Sequence, residues 1–421
     1  MPTYSLPYGR VSVQFDLPES IQADVILPPE ADSIPEVQFT ERIRKTLAAP
    51  LGERTLASFR NARSVGIAIN DKTRPVPNDL FLRPLLNGLS EVGIPRSSIR
   101  LFIANGTHIP MPPAEYGQIL PQDIIDRYAI VSHDCDDETN LVQLGTTSRG
   151  TPVSVNRLFY ESDLKIVTGN IEPHHFAGFS GGAKTASIGL GSRGTITQNH
   201  TMLVDPNAMI GVYEQNPLRQ DIEEIGEFIE IHFALNAVMS GERTIADILF
   251  GDPRLVMKAG IPIARKICQT PVRGKYDLVI ASAGGHPKDI NLYQAQKALT
   301  HASLLAREGG AIVLVAACPE GSGSASYEAS MSGIHSHEEA LAKFQKDGFR
   351  VGPHKSFQIA RIATRFQLVI VSNMRESILQ KLLLNPAESV QSAVDQGINN
   401  HPINIRIAVL PHATSTIPII V

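Results

Sequence analysis

The sequence predicts an α/β protein of two domains, each with a mainly parallel sheet flanked by helices, and an active site in the cleft between them. Short buried apolar runs alternate along the chain with polar turns and helical patterns, which is typical of parallel sheets covered on both faces. The length of 421 residues exceeds what one core usually supports. A link at 269–274, which contains Pro271 and Gly274, separates two sets of such runs.

Polar turns follow the first buried runs. The runs, each with its turn, are 65–69 with 70–75, 99–104 with 105–108, 128–131 with 132–134, and 164–168 with the segment 169–200. Ligands of parallel sheets bind outside the carboxyl ends of the strands. The side chains expected to meet at that edge are Asp71, Arg74, His108, His174 and His175.

The link sets the predicted domain boundaries. Residues 1–270 are expected to form a cofactor-binding and catalytic domain, and residues 271–402 a C-terminal α/β domain that closes the site. The tail, about 403–421, contains one more apolar run that could return to the first domain. Alternating side chains at 8–28 predict an antiparallel hairpin that covers a sheet edge.

A helix is expected from about 289 to 307 in the second domain. Tyr293 and Lys297 share a face of this helix because they are four positions apart. Together with Gln294 they would point at whatever lies between the domains; the alternative is a solvated polar face. The other histidines of this half are expected in polar turns or on helix surfaces: His286, His301, His335, His337, His354, His401 and His412.

The segment 169–200 is expected to build the site. It follows a buried run, is rich in glycine and lacks apolar periodicity. Glycine leaves backbone N–H groups accessible to an anion, because no Cβ blocks the approach. Lys184 adds a cation, while His174, His175 and His200 supply proton carriers or metal ligands.

Two nucleotide-binding patterns nearly fit this segment. Residues 178–185 differ from a P-loop only by Ala183 in place of a glycine, but they do not follow their strand directly, as a P-loop does. Residues 189–194 match G-x-G-x-x-G, yet residues 186–188 make a poor strand before them. A phosphate or nucleotide held in another geometry is the preferred interpretation.

Composition excludes several classes of protein. The net charge of -4 argues against a nucleic-acid surface. The cysteines Cys135, Cys268 and Cys318 lie far apart, which fits a reducing compartment and excludes a disulfide framework or zinc ribbon. No apolar run approaches the length of a membrane span. A cytoplasmic protein without a membrane partner is therefore expected.

Taken together, these residues resemble those of the nickel-dependent lactate racemase family, and the resemblance extends over almost the whole chain. The matching residues are Asp71 to Pro75 (DKTRP), Gly106-Thr107-His108, His174-His175 to Lys184, His200, and Tyr293-Gln294 with Lys297. As a set, at these separations, they are specific to the family.

The resemblance implies a covalently bound cofactor, the nickel-pincer nucleotide (pyridinium-3,5-bisthiocarboxylic acid mononucleotide with Ni). One sulfur-containing arm would be tethered to Lys184, and His200 would be the remaining nickel ligand. Imidazole suits a square-planar nickel centre. The residues implied to contact the cofactor are Lys184, Asp71, Thr73, Ser180, Gly181, Gly182, Tyr293, Gln294 and Lys297. The proteins that make the cofactor would be transient partners.

The resemblance also implies racemisation or epimerisation at C2 of a 2-hydroxy acid. His108 and His174 would be the paired acid and base, and Arg74, with Lys297, would bind the substrate. One histidine would take the hydroxyl proton while the C2 hydrogen leaves as hydride to the cofactor. The resulting 2-keto acid would receive hydride on its other face, which inverts the centre.

The identity of the substrate and two other protein classes stay open. The chain has no tryptophan, whereas the resemblance predicts one beside the substrate in the lactate-specific enzymes. Larger aliphatic or aromatic 2-hydroxy acids, a hydroxy diacid and a sugar acid are all candidates. The fold class alone also allows a P-loop-like phosphotransferase, or a non-catalytic nickel or nucleotide carrier that has no need of Arg74 and two further histidines.

Overall fold

The computed structural model describes residues 1–30, 32–74, 76–239, 244–401 and 404–421. The chain divides into two compact units. The central unit is Ala31–Ile267, and the terminal unit combines Met1–Glu30 with Cys268–Val421. Pro75 of the DKTRP motif and the start of the predicted tail, residue 403, lie outside the described residues.

The helices and strands follow one another in three blocks. The terminal unit begins with β1 (Thr3–Tyr8), β2 (Val11–Asp16) and β3 (Ala23–Val25). The central unit contains α1 (Phe39–Ala48), β4 (Val65–Asn70), α2 (Asn78–Glu91), β5 (Ile99–Ala104), α3 (Gln122–Ile125), β6 (Ala129–Ser132), β7 (Leu141–Thr146), β8 (Pro152–Asn156), α4 (Arg157–Tyr160), β9 (Leu164–Ile171), β10 (Pro173–His174), β11 (Gly178–Phe179), α5 (Lys184–Ser187), α6 (Arg193–Thr201), α7 (Pro217–Ile229), β12 (Phe233–Met239), β13 (Ile245–Gly251) and α8 (Pro253–Cys268). The terminal unit resumes with β14 (Gln269–Val272), β15 (Tyr276–Ser282), α9 (Leu292–Ala295), α10 (Lys297–Ser303), β16 (Ala306–Val315), α11 (Ala325–Ser330), α12 (His337–Asp347), α13 (His354–Ala363), β17 (Gln367–Val371), α14 (Glu376–Lys381), β18 (Asn385–Pro386), α15 (Val390–Asn399), β19 (Ile407–Leu410) and β20 (Ile417–Ile420).

The central unit is built on a six-stranded sheet in the order β13-β12-β9-β4-β5-β6. Its strands are parallel except β13, which pairs antiparallel with β12. All eight residues of β9 are buried, as expected of a strand covered on both faces. One face packs under α1 and α2, and the other under α7 and α8. The predicted α/β class with flanking helices is confirmed.

The terminal unit has its own six-stranded sheet, in the order β18-β17-β16-β15-β19-β3, and all neighbouring strands are parallel. Apolar clusters again line both faces. None of the helices in the described ranges has the length and apolarity of a membrane span.

The structure corrects the predicted assignment of both chain ends. The division after Ile267 is close to the predicted link, but residues 1–30 and the C-terminal strands belong with the second unit rather than the first. The reason is strand pairing: Ala23 lies beside Ile407, and Gln269 beside Ile417.

Two local predictions also change. The antiparallel hairpin is β1–β2, at 3–16 instead of 8–28, with Tyr8 opposite Val11. The helix expected from about 289 to 307 is two short helices, α9 and α10, which meet at Gln296. Strand β16 already begins at Ala306, so the helix cannot continue as far as predicted.

Candidate functional site

Three neighbouring strands of the central sheet carry the predicted site residues at their carboxyl ends. β4 is followed by Asp71, β5 by the turn that contains His108, and β9 by His174. β4 lies between β9 and β5, where the strand order reverses direction. This is the position at which open α/β sheets form a ligand-binding crevice.

Asp71 and His108 form a hydrogen-bonded pair. The Nδ1 atom of His108 lies 2.7 Å from Oδ2 of Asp71. The other carboxylate oxygen, Oδ1, accepts both the hydroxyl (2.7 Å) and the backbone N–H (3.1 Å) of Thr73. The carboxylate is 4% exposed, whereas the His108 side chain is 44% exposed. A buried carboxylate therefore anchors a histidine whose other edge faces solvent.

The pairing also sets the charge of Asp71. Burial by itself would raise the pKa of this carboxyl, but the hydrogen bonds from His108 and Thr73 outweigh burial and hold the pKa below its usual value. Asp71 is therefore a carboxylate at neutral pH. A carboxylate can only accept, so Nδ1 of His108 is a protonated nitrogen, and the tautomer that Asp71 selects is the one with its lone pair on Nε2.

His174 is held in the opposite tautomer. Its Nδ1 accepts the backbone N–H of Ala177 at 3.2 Å, which leaves the ring proton on Nε2. The ring is 8% exposed. Burial lowers the pKa of His174 well below its usual value, and the nearby charges of Lys184 and Arg74 lower it further. His174 is therefore a neutral hydrogen-bond donor at physiological pH.

An aromatic side chain connects His174 to the predicted metal ligand. The ring of Phe176 lies edge-on to both histidines, 4.8 Å from the ring centre of His174 and 5.1 Å from that of His200. His200 is buried near the end of α6. The two histidines predicted from the same glycine-rich segment are thus brought together.

The amine of Lys184 lies in an environment that disfavours a positive charge. This residue begins α5 directly behind the glycine-rich loop and is only partly exposed. Desolvation lowers its pKa well below the usual value, and the charges of Arg74 and Arg219 add to that effect, while Glu172 opposes it. Its amine therefore loses its proton far more readily than that of a solvated lysine.

Arg74 belongs to the same cluster although its side chain is exposed. Its charge lowers the pKa of both His174 and Lys184, which places the guanidinium near both groups. The backbone N–H of Arg74 donates to the carbonyl of Asp71 and closes the turn after β4. The structure thus places Asp71, Arg74, His108, His174 and His175 after the carboxyl ends of three neighbouring strands, and their roles stay predictions.

Two N–H groups of the glycine-rich loop depart from the expectation that they face an anion. The N–H of Ser180 donates to the carbonyl of Glu172, and that of Gly182 donates to Oδ1 of Asn236 at 2.7 Å. The glycines instead permit close packing, because a Cβ on Gly178 would stand 1.7 Å from the carbonyl oxygen of Val212. These inward hydrogen bonds also weigh against a P-loop.

The terminal unit carries the remaining predicted residues. Tyr293 and Gln294 lie on α9, and Lys297 begins α10. The buried ammonium of Lys355 lies 4.3 Å from the centre of the Tyr293 ring, and His354 packs against the edge of the same ring at 5.9 Å. Closure of Tyr293, Gln294 and Lys297 over the histidines of the central unit stays a prediction.

Comparison with known proteins identifies the family. The model of the lactate racemase N-terminal domain matches residues 8–211, and that of the C-terminal domain matches residues 272–418. The lactate racemase of Thermoanaerobacterium thermosaccharolyticum is 28% identical to the chain, over 99% of the chain and 99% of its own length. The lactate racemase of Lactiplantibacillus plantarum is 27% identical, over 99% of the chain and 100% of its own length.

The chain belongs to the lactate racemase family. It is an isomerase of the racemase type. The solved apoprotein structure of the T. thermosaccharolyticum lactate racemase superposes with a TM-score of 0.90 at 25% identity and covers 99% of this chain and all of that one. A Thermotoga maritima protein shares the fold with a TM-score of 0.65 at 18% identity, over 93% of this chain and 100% of its own.

The residues of this family member fit the cofactor that the family resemblance implies. A lysine whose pKa is lowered can present the uncharged amine that an acyl tether requires. Nδ1 of His200 lies 3.1 Å from the side-chain oxygen of Asn199, which favours Nε2 as the ligand atom. A different group, Asp134, Cys135 and Asp136, has the spacing of a metal site among the described residues, but Asp136 is ion-paired with Arg193 and the group lies outside the predicted set.

Several supporting residues could not be found from the sequence of this racemase. Arg219 is wholly buried, ion-pairs with Glu223, and donates to the carbonyls of Phe179 and Gly181 at 3.0 Å each. It holds the glycine-rich loop from behind. The sequence does show Arg219 and Glu223 four positions apart on the helix at 217–229, beside its apolar residues. Such a pair is more typical of a surface ion pair, so the sequence did not indicate that it is buried.

Proposed function

We propose that this enzyme inverts C2 of a 2-hydroxy acid by way of a 2-keto acid, with a nickel-pincer nucleotide tethered to Lys184 and its nickel bound by His200. One observation carries the proposal. His108, paired through Nδ1 with Asp71, and His174, whose Nδ1 accepts from Ala177, lie with Arg74 and a lysine of lowered pKa at a single sheet edge, in a chain of the lactate racemase family.

The tautomers suggest different tasks for the two histidines. Because Nδ1–H of His108 is held by Asp71, its Nε2 lone pair can accept the substrate hydroxyl proton. His174 presents Nε2–H and can donate a hydrogen bond to the oxygen as it becomes a carbonyl. His174 could act as a base only after Nδ1 gave up its bond from Ala177. When bound, the cofactor would supply the acceptor for the hydrogen that leaves C2 with its electron pair.

Arg74 would hold the substrate carboxylate. Its guanidinium is exposed, lies near His174, and can donate two parallel hydrogen bonds to a carboxylate. The proposal also includes substrate and cofactor binding by Lys297 of the terminal unit. It further includes cofactor contacts from seven other residues: Asp71, Thr73, Ser180, Gly181, Gly182, Tyr293 and Gln294. The inward hydrogen bonds of the loop mean that Gly182 would contact the nucleotide through packing and not through its N–H.

The activity can be tested with protein purified from a host that makes the cofactor. A panel of 2-hydroxy acids is incubated with the loaded enzyme and resolved by chiral chromatography. Racemisation in D2O should give product without deuterium at C2, since the transferred hydrogen never exchanges with water. Substantial C2 deuterium in early product would refute hydride transfer, and no inversion of any acid would leave the carrier alternative.

Two variants test the attachment. Intact mass of the loaded protein should exceed the sequence mass, and Lys184→Ala should abolish the increment. His200→Ala should keep the increment but lose nickel, because only the metal bond is removed. An increment that survives in Lys184→Ala, or nickel fully retained in His200→Ala, would remove that residue from its role.

A further inference from the structure

A buried chain of hydrogen bonds leads to the first ring nitrogen of His200. It starts at the β7–β8 hairpin, where Thr147 donates to Oδ1 of Asp221 at 2.6 Å and Thr151 donates to Oδ2 at 2.9 Å. It continues through Asn199, whose side-chain nitrogen donates to Oδ2 of Asp221 at 2.8 Å. Asp221, Thr151 and Asn199 are 0% exposed and Thr147 is 4% exposed.

The chemistry of these partners fixes the orientation of the Asn199 amide. A carboxylate and a backbone carbonyl can only accept, and Nδ2 of Asn199 meets one of each: Asp221, and the carbonyl of Leu218 at 3.0 Å. The two ends of the amide therefore cannot exchange places without setting oxygen against oxygen. The amide oxygen must face Nδ1 of His200, which lies 3.1 Å away.

The orientation of Asn199 in turn fixes the tautomer of His200. An amide oxygen only accepts, so Nδ1 must carry the ring proton, and the lone pair of the neutral imidazole is left on Nε2. A free neutral histidine can place its proton on either nitrogen. Metal-binding histidines usually donate the second ring N–H to a carbonyl or carboxylate in this way, which fixes the ring and raises the basicity of the ligand atom.

We infer that Asn199 and Asp221 are positioning residues that make His200 a ligand through Nε2. The inference rests on the proposed role of His200, and it extends that role to two residues that act through the His200 ring. Asp221 acts through Asn199, because its carboxylate holds the amide in the one orientation that presents oxygen to His200. Thr147 and Thr151 hold the carboxylate in place.

The first test needs no cofactor. Apoprotein from a host that lacks the cofactor pathway is labelled with 15N-histidine, and long-range 1H–15N spectra report which ring nitrogen of His200 carries the proton; His200→Gln assigns the signal. Wild type should show Nδ1–H. Asn199→Leu, which keeps the volume but removes the acceptor, should shift the ring toward Nε2–H. An Nε2–H ring in wild type would overturn the inference without any variant having to fold.

The second test uses protein purified with its cofactor. Nickel content is measured relative to the mass increment of the tether. Asn199→Leu should keep the increment and bind nickel about 10- to 100-fold more weakly, in line with the loss of other second-shell partners. Thr151→Val is the matched control, since it removes one buried hydroxyl from Asp221 but leaves the bond from Asn199 to His200, and its nickel ratio should stay near wild type.

The outcomes separate the inference from the proposed function. If His200→Ala loses nickel while Asn199→Leu keeps the wild-type ratio, the positioning role is wrong and the ligand role of His200 stands. If His200→Ala retains nickel, the ligand role itself fails. If Thr151→Val lowers the ratio as much as Asn199→Leu does, the effect comes from general loosening of the buried chain and the inference is refuted.

Discussion

Replacing Asp71 with asparagine should disable His108 through a predictable rotation of the new amide. Oδ1 of Asp71 accepts two bonds from Thr73, so the oxygen of the new amide should take that position. Its NH2 group then replaces Oδ2, 2.7 Å from Nδ1 of His108. An NH2 group donates, so Nδ1 would have to accept and the ring proton would move to Nε2. The lone pair needed for the substrate hydroxyl proton would be lost.

The expected cost is most of the contribution of the general base. Positioned acid–base groups contribute about 10²- to 10⁴-fold in rate, so Asp71→Asn should lower kcat by that factor, or about 3–5 kcal/mol in the barrier. The assay is racemisation of the best acid of the panel, with the mass increment and nickel content checked first so that only equally loaded samples are compared.

The control is Thr73→Val, which removes one donor to Asp71 but keeps the carboxylate facing His108. It should cost less than about 10-fold in rate, as expected for the loss of one hydrogen bond. Combining the two substitutions should recover part of the loss, because only the backbone N–H of residue 73 then opposes rotation of the amide. An Asp71→Asn enzyme within about 3-fold of wild type would refute the tautomer argument.

Four further predictions follow from the structure. Arg74→Lys should cost about 2 kcal/mol in kcat/KM through loss of the bidentate fork, and unaltered kinetics would place the carboxylate elsewhere. Lys184→Met should raise the Tm of the cofactor-free protein at pH 7, because a lysine with a lowered pKa destabilises the fold increasingly as pH falls below 10.5; an unchanged or lower Tm would contradict this. Burial lowers the pKa of His301 from 6.5 to about 4. The free energy of unfolding should therefore be unaffected by His301 above pH 6.5 and fall by roughly 3 kcal/mol as the pH drops to 4. His301→Gln should remove this pH dependence from unfolding free energies measured by chemical denaturation. Gly178→Ala should prevent folding or cost well over 3 kcal/mol, whereas Gly150→Ala, with a similar positive φ and open space around it, should cost only about 1–2 kcal/mol.

Much of the fold and of the site could be read from the sequence because parallel strands impose their own geometry. The run 65–69 has no polar side chain, so it had to be covered on both faces, and its carboxyl end had to carry Asp71 to the ligand-binding edge. The same reasoning placed His108 and His174 after the neighbouring strands β5 and β9, where the structure has them. The comparisons confirm the family and the fold, whereas the roles of the individual residues stay predictions.

Long-range pairing could not be read in the same way. β3 is three residues long, and nothing in Ala23–Val25 specifies a partner at Ile407–Leu410 near the other end of the chain. The helical pattern near Tyr293 did not reveal that the helix is interrupted at Gln296. His301 and His354 were expected in turns or on helix surfaces but are buried, since their neighbours in space come from distant segments.

The buried Arg219 has a consequence for how the enzyme would be loaded. Its guanidinium, together with Asn236, satisfies polar groups of the loop at 178–182 with side chains of the protein itself. An arriving nucleotide would therefore meet a surface that is largely pre-organised, and little of its binding free energy would be spent on ordering the loop. The amide hydrogen of Gly182 should exchange slowly with solvent even in the apoprotein. Hydrogen exchange can therefore distinguish binding to a pre-ordered loop from ordering of the loop on binding.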